Sequence, residues 1–260
     1  MGASPNIKIS TDGPIGWLTI DRPTSRGALT RDMWLALPDA LAELADREAV
    51  RVVVIRGSEG HFVAGADITE FEQLRSDPAL ARSYDEGANA TLELLERLSV
   101  PSIAMIEGAC VGGGCLIAFG CDLRVVADTA RMGIPAGKLG LAYPNRALER
   151  LVAVLGEARA LALTLSGRLV PGREAHETGL AQYCFDAGEL ENGTRELASE
   201  IATNAPLALR YLRLALRRKA APLLSPEEVE KLVAACFASE DYREGVTAFL
   251  EKRAPVFKGR

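Results

Sequence analysis

The 260-residue chain contains two histidines, His61 and His176, too far apart in sequence to suggest a metal-binding or catalytic pair. Its five cysteines (Cys110, Cys115, Cys121, Cys184 and Cys236) are odd in number and lack metal-ligand spacing. They read as buried free thiols, which fits a reducing compartment, and a cytoplasmic location is expected. No apolar run approaches the roughly 20 residues that cross a bilayer, and the start lacks a basic stretch followed by an apolar one. Neither a membrane association nor export is expected. Thirty basic against 35 acidic residues give a net charge of -5 without a long block of one sign, so a nucleic-acid partner is not expected either. There is no G-x-G-x-x-G, no GK[ST], no Ser/His/Asp or Cys/His arrangement and no metal cluster. Dinucleotide binding, P-loop chemistry and triad hydrolysis are excluded.

What is present is a chain with 48% hydrophobic and 25% charged residues, enough for one large domain with a core. Strand patterns at Ile7 to Ser10 and Ile15 to Asp21 flank Asp12-Gly13-Pro14, which is turn chemistry, and predict a hairpin. Thr30 is placed to cap a helix carrying Met33, Leu37, Leu41 and Leu44 at helical spacing, followed by an apolar strand, Val50 to Ile55. The alternation returns with a helix around Ala90 to Leu98, a strand Ser102 to Ile106, a helix after Gly112 and a strand Leu123 to Ala127, which argues for an α/β fold. Beyond Pro144 strand signals fade. Residues 146–165, 173–179, 190–203, 206–219 and 226–250 read as successive helices, with the proline-rich stretch Ala221 to Pro226 as the clearest break. The division expected is a core of residues 1–204 and a C-terminal helical region, 205–260.

Two segments can carry chemistry. His61-Phe62-Val63-Ala64-Gly65-Ala66-Asp67-Ile68 follows a strand and is packed with small residues, as where a backbone approaches a ligand or simply turns tightly. In Gly108-Ala109-Cys110-Val111-Gly112-Gly113-Gly114-Cys115-Leu116 a strand runs through three glycines into a helix. Unpaired N–H groups at such a helix start carry partial positive charge and can hold a developing oxyanion, whereas close helix–strand packing is the structural alternative.

Together the two segments resemble the crotonase (enoyl-CoA hydratase/isomerase) superfamily. The resemblance extends over Asp21-Arg22-Pro23, Val53 to Gly57, Cys121 to Arg124, Gly133-Ile134-Pro135, Lys138 to Leu141 and Ser239 to Arg253. It implies a crotonase-type α/β spiral of repeated ββα units with a C-terminal helical trimerisation region, assembling as a homotrimer or dimer of trimers. It also implies an acyl-CoA thioester as substrate, with no separate cofactor because CoA enters as part of that substrate. The thioester oxygen would sit between the backbone N–H groups of Ala66 and Gly113. Ala64, Asp67 and Ile68 become candidate CoA contacts, although Asp67 is equally suited to capping a helix. Arg26, Ala28 and Gly112 belong to the same expected binding surface. Phe249 and Lys252 are candidates from the C-terminal end.

Family hydratases supply two glutamates, and here the matching positions are Leu116 and Ala136. Neither side chain can exchange a proton, and general acid–base catalysis is typically worth roughly 10²- to 10⁴-fold per group. Three readings follow: a hydratase/isomerase-like enzyme with altered chemistry, a decarboxylase of malonyl-type thioesters using Tyr143 with Asn145, or an acyl-CoA-binding protein without turnover. Within Leu139 to Asn145, Tyr143 and Asn145 are the nearest polar side chains that could orient a substrate group, and a local packing role is the alternative for Tyr143.

Overall fold

The computed structural model describes residues 4–70, 76–217 and 225–260. Strands β1 (Ile7–Asp12) and β2 (Ile15–Ile20) form the antiparallel hairpin, turning at Gly13, whose φ of 54° is one a glycine adopts without strain. Helix α1 (Arg31–Ala45) starts where the Thr30 hydroxyl accepts the Met33 N–H, and it buries Met33, Leu37, Leu41 and Leu44. Strand β3 (Val52–Gly57) runs parallel to β2, with Val52 to Ile55 wholly buried as expected of a strand covered on both faces.

Helix α2 (Pro78–Arg97) is much longer than the sequence pattern around Ala90 to Leu98 suggests. Asp77 accepts the Ala79 and Leu80 N–H groups and Pro78 occupies the first turn, a start signal preceding a stretch of small and polar residues with weak periodicity. Helices α1 and α2 cross closely at Gly87, where a side chain would come within 3.0 Å of the Trp34 backbone.

Strand β4 (Ser102–Ile106), strand β5 (Ala109–Val111) and helix α3 (Gly113–Gly120) form one ββα unit; β6 (Leu123–Ala127) and β7 (Arg131–Gly133) begin the next. The main sheet has six strands in the order β1-β2-β3-β4-β6-β9, and β5, β7 and β8 make a second, three-stranded sheet. Strands β8 (Val170–Pro171) and β9 (Tyr183–Phe185) lie in the stretch that reads as helical; at two and three residues they are too short to show alternation.

Helices α4 (Asn145–Leu155) and α5 (Glu157–Ser166) replace the single helix expected over 146–165. Gly156, at φ 74° and ψ 158°, ends one and begins the other. After α6 (Gly172–Glu177) and α7 (Leu190–Ala202), the C-terminal part holds α8 (Pro206–Arg217), α9 (Pro226–Ala238) and α10 (Glu240–Glu251). The expected helix 226–250 is broken at Ser239, whose hydroxyl caps α10 by accepting the Tyr242 N–H. Ala221 to Leu224, within the expected break, lie outside the described residues; Ser225 opens α9 with a reciprocal capping box to Glu228. Among the described residues no helix is long and apolar enough to cross a membrane.

Candidate active site

The two glycine-containing segments are joined by backbone hydrogen bonds. The Val63 N–H donates to the Ala109 carbonyl (2.8 Å) and the Val111 N–H to the Val63 carbonyl (2.9 Å), so the loop after β3 runs parallel to β5. His61 supports the join by accepting the Ala109 N–H at Nδ1 (3.3 Å). On its other side the loop is held to the chain before α1: Leu29 N–H donates to Gly65 (2.8 Å), and Asp67 N–H to Leu29 (2.9 Å). Ala66, between these two contacts, has an N–H with no hydrogen-bond partner among the described residues.

Three glycines make this approach possible. Gly65 has φ 116° and Gly112 φ 54°, both in the region that disfavours side chains. Gly114 is fixed by space, since a Cβ there would lie 2.4 Å from the Val63 carbonyl oxygen. Gly113 is the first residue of α3, and its N–H is likewise without a partner among the described residues.

Ala66 and Gly113 both line a cavity of about 190 Å³, together with Ala64, Ile68, Gly112, Leu116, Ala136 and Tyr143, all positions singled out from sequence. Its other walls include Trp34, Tyr84, Asp85, Ala88, Leu139 and Leu141, which the sequence reading did not single out. The α2 contribution lacks a motif: Asp85 is one of several acidic residues on that helix. The useful signal would have been its place one turn before Ala88 and two turns before Leu92 on the helix face that packs inward.

Leu116 packs against Leu92 and Ala147, with the Tyr143 ring beside them. Ala136 begins a short 3-10 turn, Ala136–Lys138. The Tyr143 hydroxyl has no partner among the described residues and lies 3.1 Å from where a Cβ on Gly112 would sit. Burial pushes its pKa well above that of an ordinary tyrosine, with Cys115 and Tyr84 adding to the effect, so it is a neutral donor rather than a base.

Six other sequence candidates lie outside the cavity lining. The buried Asp67 carboxylate accepts the Thr69 N–H (2.9 Å) and hydroxyl (2.6 Å) and pairs with Arg22 (2.5 Å). Burial raises its pKa, but these partners outweigh it and the net shift is downward. Arg26 is exposed and uses its carbonyl to accept the Ala64 N–H (3.0 Å); the Ala28 carbonyl accepts from Arg22 (3.0 Å). Asn145 is exposed at the start of α4. Phe249 is 83% exposed on α10 and borders a separate apolar groove of about 630 Å³ with Leu212, Phe237, Leu250 and Phe257. Lys252 is the exposed left-handed cap of the same helix.

The far end of α3 is closed by arginines. Arg124 Nη1 donates to the Ala118 carbonyl (3.3 Å), Arg150 Nε to that of Phe119 (2.8 Å) and Arg217 Nη2 to that of Gly120 (2.9 Å). Arg217 and Arg213 both pair with Asp122 (2.6 Å each), tying α8 to the end of α3. Desolvation pulls the Arg124 and Arg150 pKa values down to about 10, which leaves both charged at neutral pH. Among the described residues no group of three or more His, Cys, Asp or Glu side chains is arranged to hold a metal ion.

Known proteins share this architecture. The family model described as enoyl-CoA hydratase/isomerase matches residues 10–260. The chain is 34% identical over 256 residues to the probable enoyl-CoA hydratase echA8 of Mycobacterium tuberculosis, covering 98% of both. It is 32% identical over 245 residues to the 2,3-dehydroadipyl-CoA hydratase of Escherichia coli, covering 94% of both. A crystal structure of an enoyl-CoA hydratase/carnithine racemase from Magnetospirillum magneticum superposes with a TM-score of 0.93 at 32% identity, over 99% of this chain and 97% of that one.

Proposed function

The chain belongs to the enoyl-CoA hydratase/isomerase family, and from that premise we propose that it holds an acyl-CoA thioester with the carbonyl oxygen between the N–H groups of Ala66 and Gly113. The observation that carries this reading is that Ala66 and Gly113, whose backbone N–H groups have no partner among the described residues, line one cavity. Donors fixed in advance stabilise charge as it develops on oxygen without reorganising, and each is worth about 10²- to 10³-fold in rate. CoA comes with the substrate, and no separate cofactor is called for.

The reaction is not efficient hydration by two glutamates. Leu116 and Ala136 stand on the cavity wall where the family resemblance implies those carboxylates, and they make that wall apolar. What remains is enolate chemistry at a polarised thioester.

A test is the absorbance of bound cinnamoyl-CoA, a conjugated thioester whose band moves to longer wavelength as its carbonyl is polarised. The wild-type protein is expected to shift the band. Gly113→Pro, which deletes one donor at a helix position that accepts proline, is expected to bind with little shift. An equal shift in both proteins would contradict the assignment.

Decarboxylation of a malonyl-type thioester is the second reading, supported by Tyr143, which lines the cavity and whose hydroxyl has no partner among the described residues. Carbon dioxide release that falls in Tyr143→Phe would favour it. Tight acyl-CoA binding with no product from any thioester would favour a non-catalytic protein.

A trimer or dimer of trimers is proposed for the assembly. Leu216, Phe249 and Leu250 on α8 and α10 are 78%, 83% and 75% exposed, an apolar surface of the kind that subunit contacts cover. Light scattering of the purified protein gives the mass directly. A cytoplasmic location is proposed with it, and the buried thiols of Cys110, Cys115 and Cys121 fit a reducing compartment.

A further inference from the structure

We infer that His61 is a positioning residue of this site: its imidazole, held as the tautomer with the proton on Nε2, sets the loop that carries Ala66 against the strand that leads to Gly113. The inference rests on the acyl-CoA reading above and goes beyond it by naming what keeps the two donors in place.

The backbone ladder between the loop and β5 is irregular beside His61. In a regular parallel ladder alternate residues of a strand donate and accept. Val63 follows that rule: its N–H donates to Ala109 (2.8 Å) and its carbonyl accepts from Val111 (2.9 Å). Continued upstream, the rule would place the His61 N–H on Glu107 and the Ala109 N–H on the His61 carbonyl. Instead the Phe62 N–H donates to Glu107 (2.8 Å), and the His61 N–H turns back to Ser58 (3.3 Å). Phe62 and Val63, consecutive on the loop, thus reach the alternate carbonyls of Glu107 and Ala109, which is a bulge. It falls at Gly108, whose φ is 53°.

The bulge takes the Ala109 N–H away from the backbone acceptor of a regular ladder. The His61 imidazole replaces that acceptor, receiving the N–H at Nδ1 (3.3 Å). A ring nitrogen that accepts carries no proton, so the neutral ring is protonated at Nε2. The chain leaves room for this ring: a Cβ on Gly108 would lie 2.5 Å from Nδ1 and 2.1 Å from the Gly60 carbonyl oxygen. On its other edge the Gly108 carbonyl accepts the Arg131 N–H (2.7 Å), so the Gly108–Ala109 peptide is held from both sides. Without the imidazole the Ala109 N–H either loses its partner or reaches for the carbonyl of residue 61, as a regular ladder has it. Either change moves that peptide, and with it the strand that ends at Gly113, against the loop that ends at Ala66. The spacing of the two donors is then no longer fixed in advance.

The experiment compares His61→Leu, which keeps a side chain of similar reach but loses the acceptor, with His61→Asn, whose Oδ1 can take the same N–H. Two readouts follow polarisation of the thioester: the absorbance band of bound cinnamoyl-CoA, and exchange of the α-protons of butyryl-CoA in D₂O, read by mass spectrometry. In the exchange, solvent takes a proton from the acyl α-carbon, the C–H pair becomes the enolate double bond, and the thioester π pair moves onto oxygen between Ala66 and Gly113; a deuteron from solvent then restores the thioester. Calorimetry on the same samples gives binding, so both readouts are compared per bound molecule.

The wild-type protein is expected to shift the band and to exchange. His61→Leu is expected to bind within a few-fold, to lose most of the shift and to exchange about 10- to 100-fold more slowly, because misplacement by about 1 Å costs up to about 10²-fold. His61→Asn should recover most of both. His61→Ala replaces His61→Leu should the latter fail to fold, as judged by its melting temperature. A full shift and wild-type exchange in folded His61→Leu would overturn the assignment and leave the acyl-CoA reading standing, since a merely structural role lowers the melting temperature alone. Equal impairment of His61→Asn and His61→Leu would also count against it, as would a nitrogen-15 NMR spectrum of the histidine-labelled protein with the His61 proton on Nδ1. No band shift by the wild type would remove the oxyanion reading itself.

Discussion

The two ends of α3 (Gly113–Gly120) are finished in opposite ways. At its C-terminal end the carbonyls of Ala118, Phe119 and Gly120 each receive a guanidinium from a different part of the chain. At its N-terminal end the Gly113 N–H has no partner among the described residues, and Gly113 lines a cavity. Any helix leaves orphan donors at one end and orphan acceptors at the other, and the partial charges on them are of opposite sign. Stability is built where the orphans are satisfied, and the proposed chemistry lies at the end where they are not.

This contrast is open to attack at each end. The largest effect is expected from Asp122→Ala at the closed end. It strips Arg213 and Arg217 of their shared carboxylate, and breaking one partner of a buried pair costs about 3–5 kcal/mol. Thermal or denaturant unfolding should register that loss, while the fraction that remains folded should still exchange butyryl-CoA protons normally. Equal damage to stability and to exchange per folded molecule would erase the distinction between the ends.

At the open end, Gly113→Pro is expected to lower proton exchange by about 10²- to 10³-fold, the usual worth of one oxyanion donor. Its cost in stability should be smaller than that of Asp122→Ala, about 1–3 kcal/mol, because the proline Cβ must press Trp34 Cζ2 at 3.0 Å. Arg150→Met comes next at the closed end. It leaves the Phe119 carbonyl without its donor, and one orphaned buried acceptor costs about 1–3 kcal/mol, visible in the melting temperature with no change in exchange.

Acid sharpens the same comparison. Burial raises the Asp122 pKa, but the guanidiniums of Arg213 and Arg217 more than offset this and the net shift is downward. A carboxyl with a depressed folded pKa contributes stability above its unfolded value, about 3.9, and loses that contribution as pH falls through the folded value. Unfolding free energy should therefore fall below about pH 4 in the wild type and follow a flatter acid limb in Asp122→Asn. Tyr143→Phe should have the smallest effect, less than about tenfold on exchange, because a neutral hydroxyl contributes one ordinary hydrogen bond.

The open end was legible in the sequence and the closed end was not. Gly65, Gly112 and Gly114 stand where positive φ or close backbone contact leaves room for no other residue, so the chemistry of the backbone is written in a local motif. The absence of carboxylates at Leu116 and Ala136 could be read the same way. Asp85 could not, because its neighbours on α2 include Glu86, Glu93 and Glu96 and periodicity alone does not say which carboxylate meets a cavity. Arg124, Arg150, Arg213 and Arg217 are scattered along the sequence, and only the fold gathers and buries them around one helix end. Asp122, through its pairs with Arg213 and Arg217, holds α8 to that end as well. Gly156 and Ser239, which split two expected helices, were hidden for a related reason: apolar periodicity continues across both, and only the backbone angles show the break.

The most direct measurement is hydration of crotonyl-CoA by the purified protein, with binding of the same thioester measured alongside. The expected result is saturable binding with hydration at least about 10²-fold slower than that of a family member retaining both glutamates, because acid–base pairing is absent while polarisation is kept. Hydration at a comparable rate would contradict the central claim that this site keeps its oxyanion donors without the chemistry of the two glutamates.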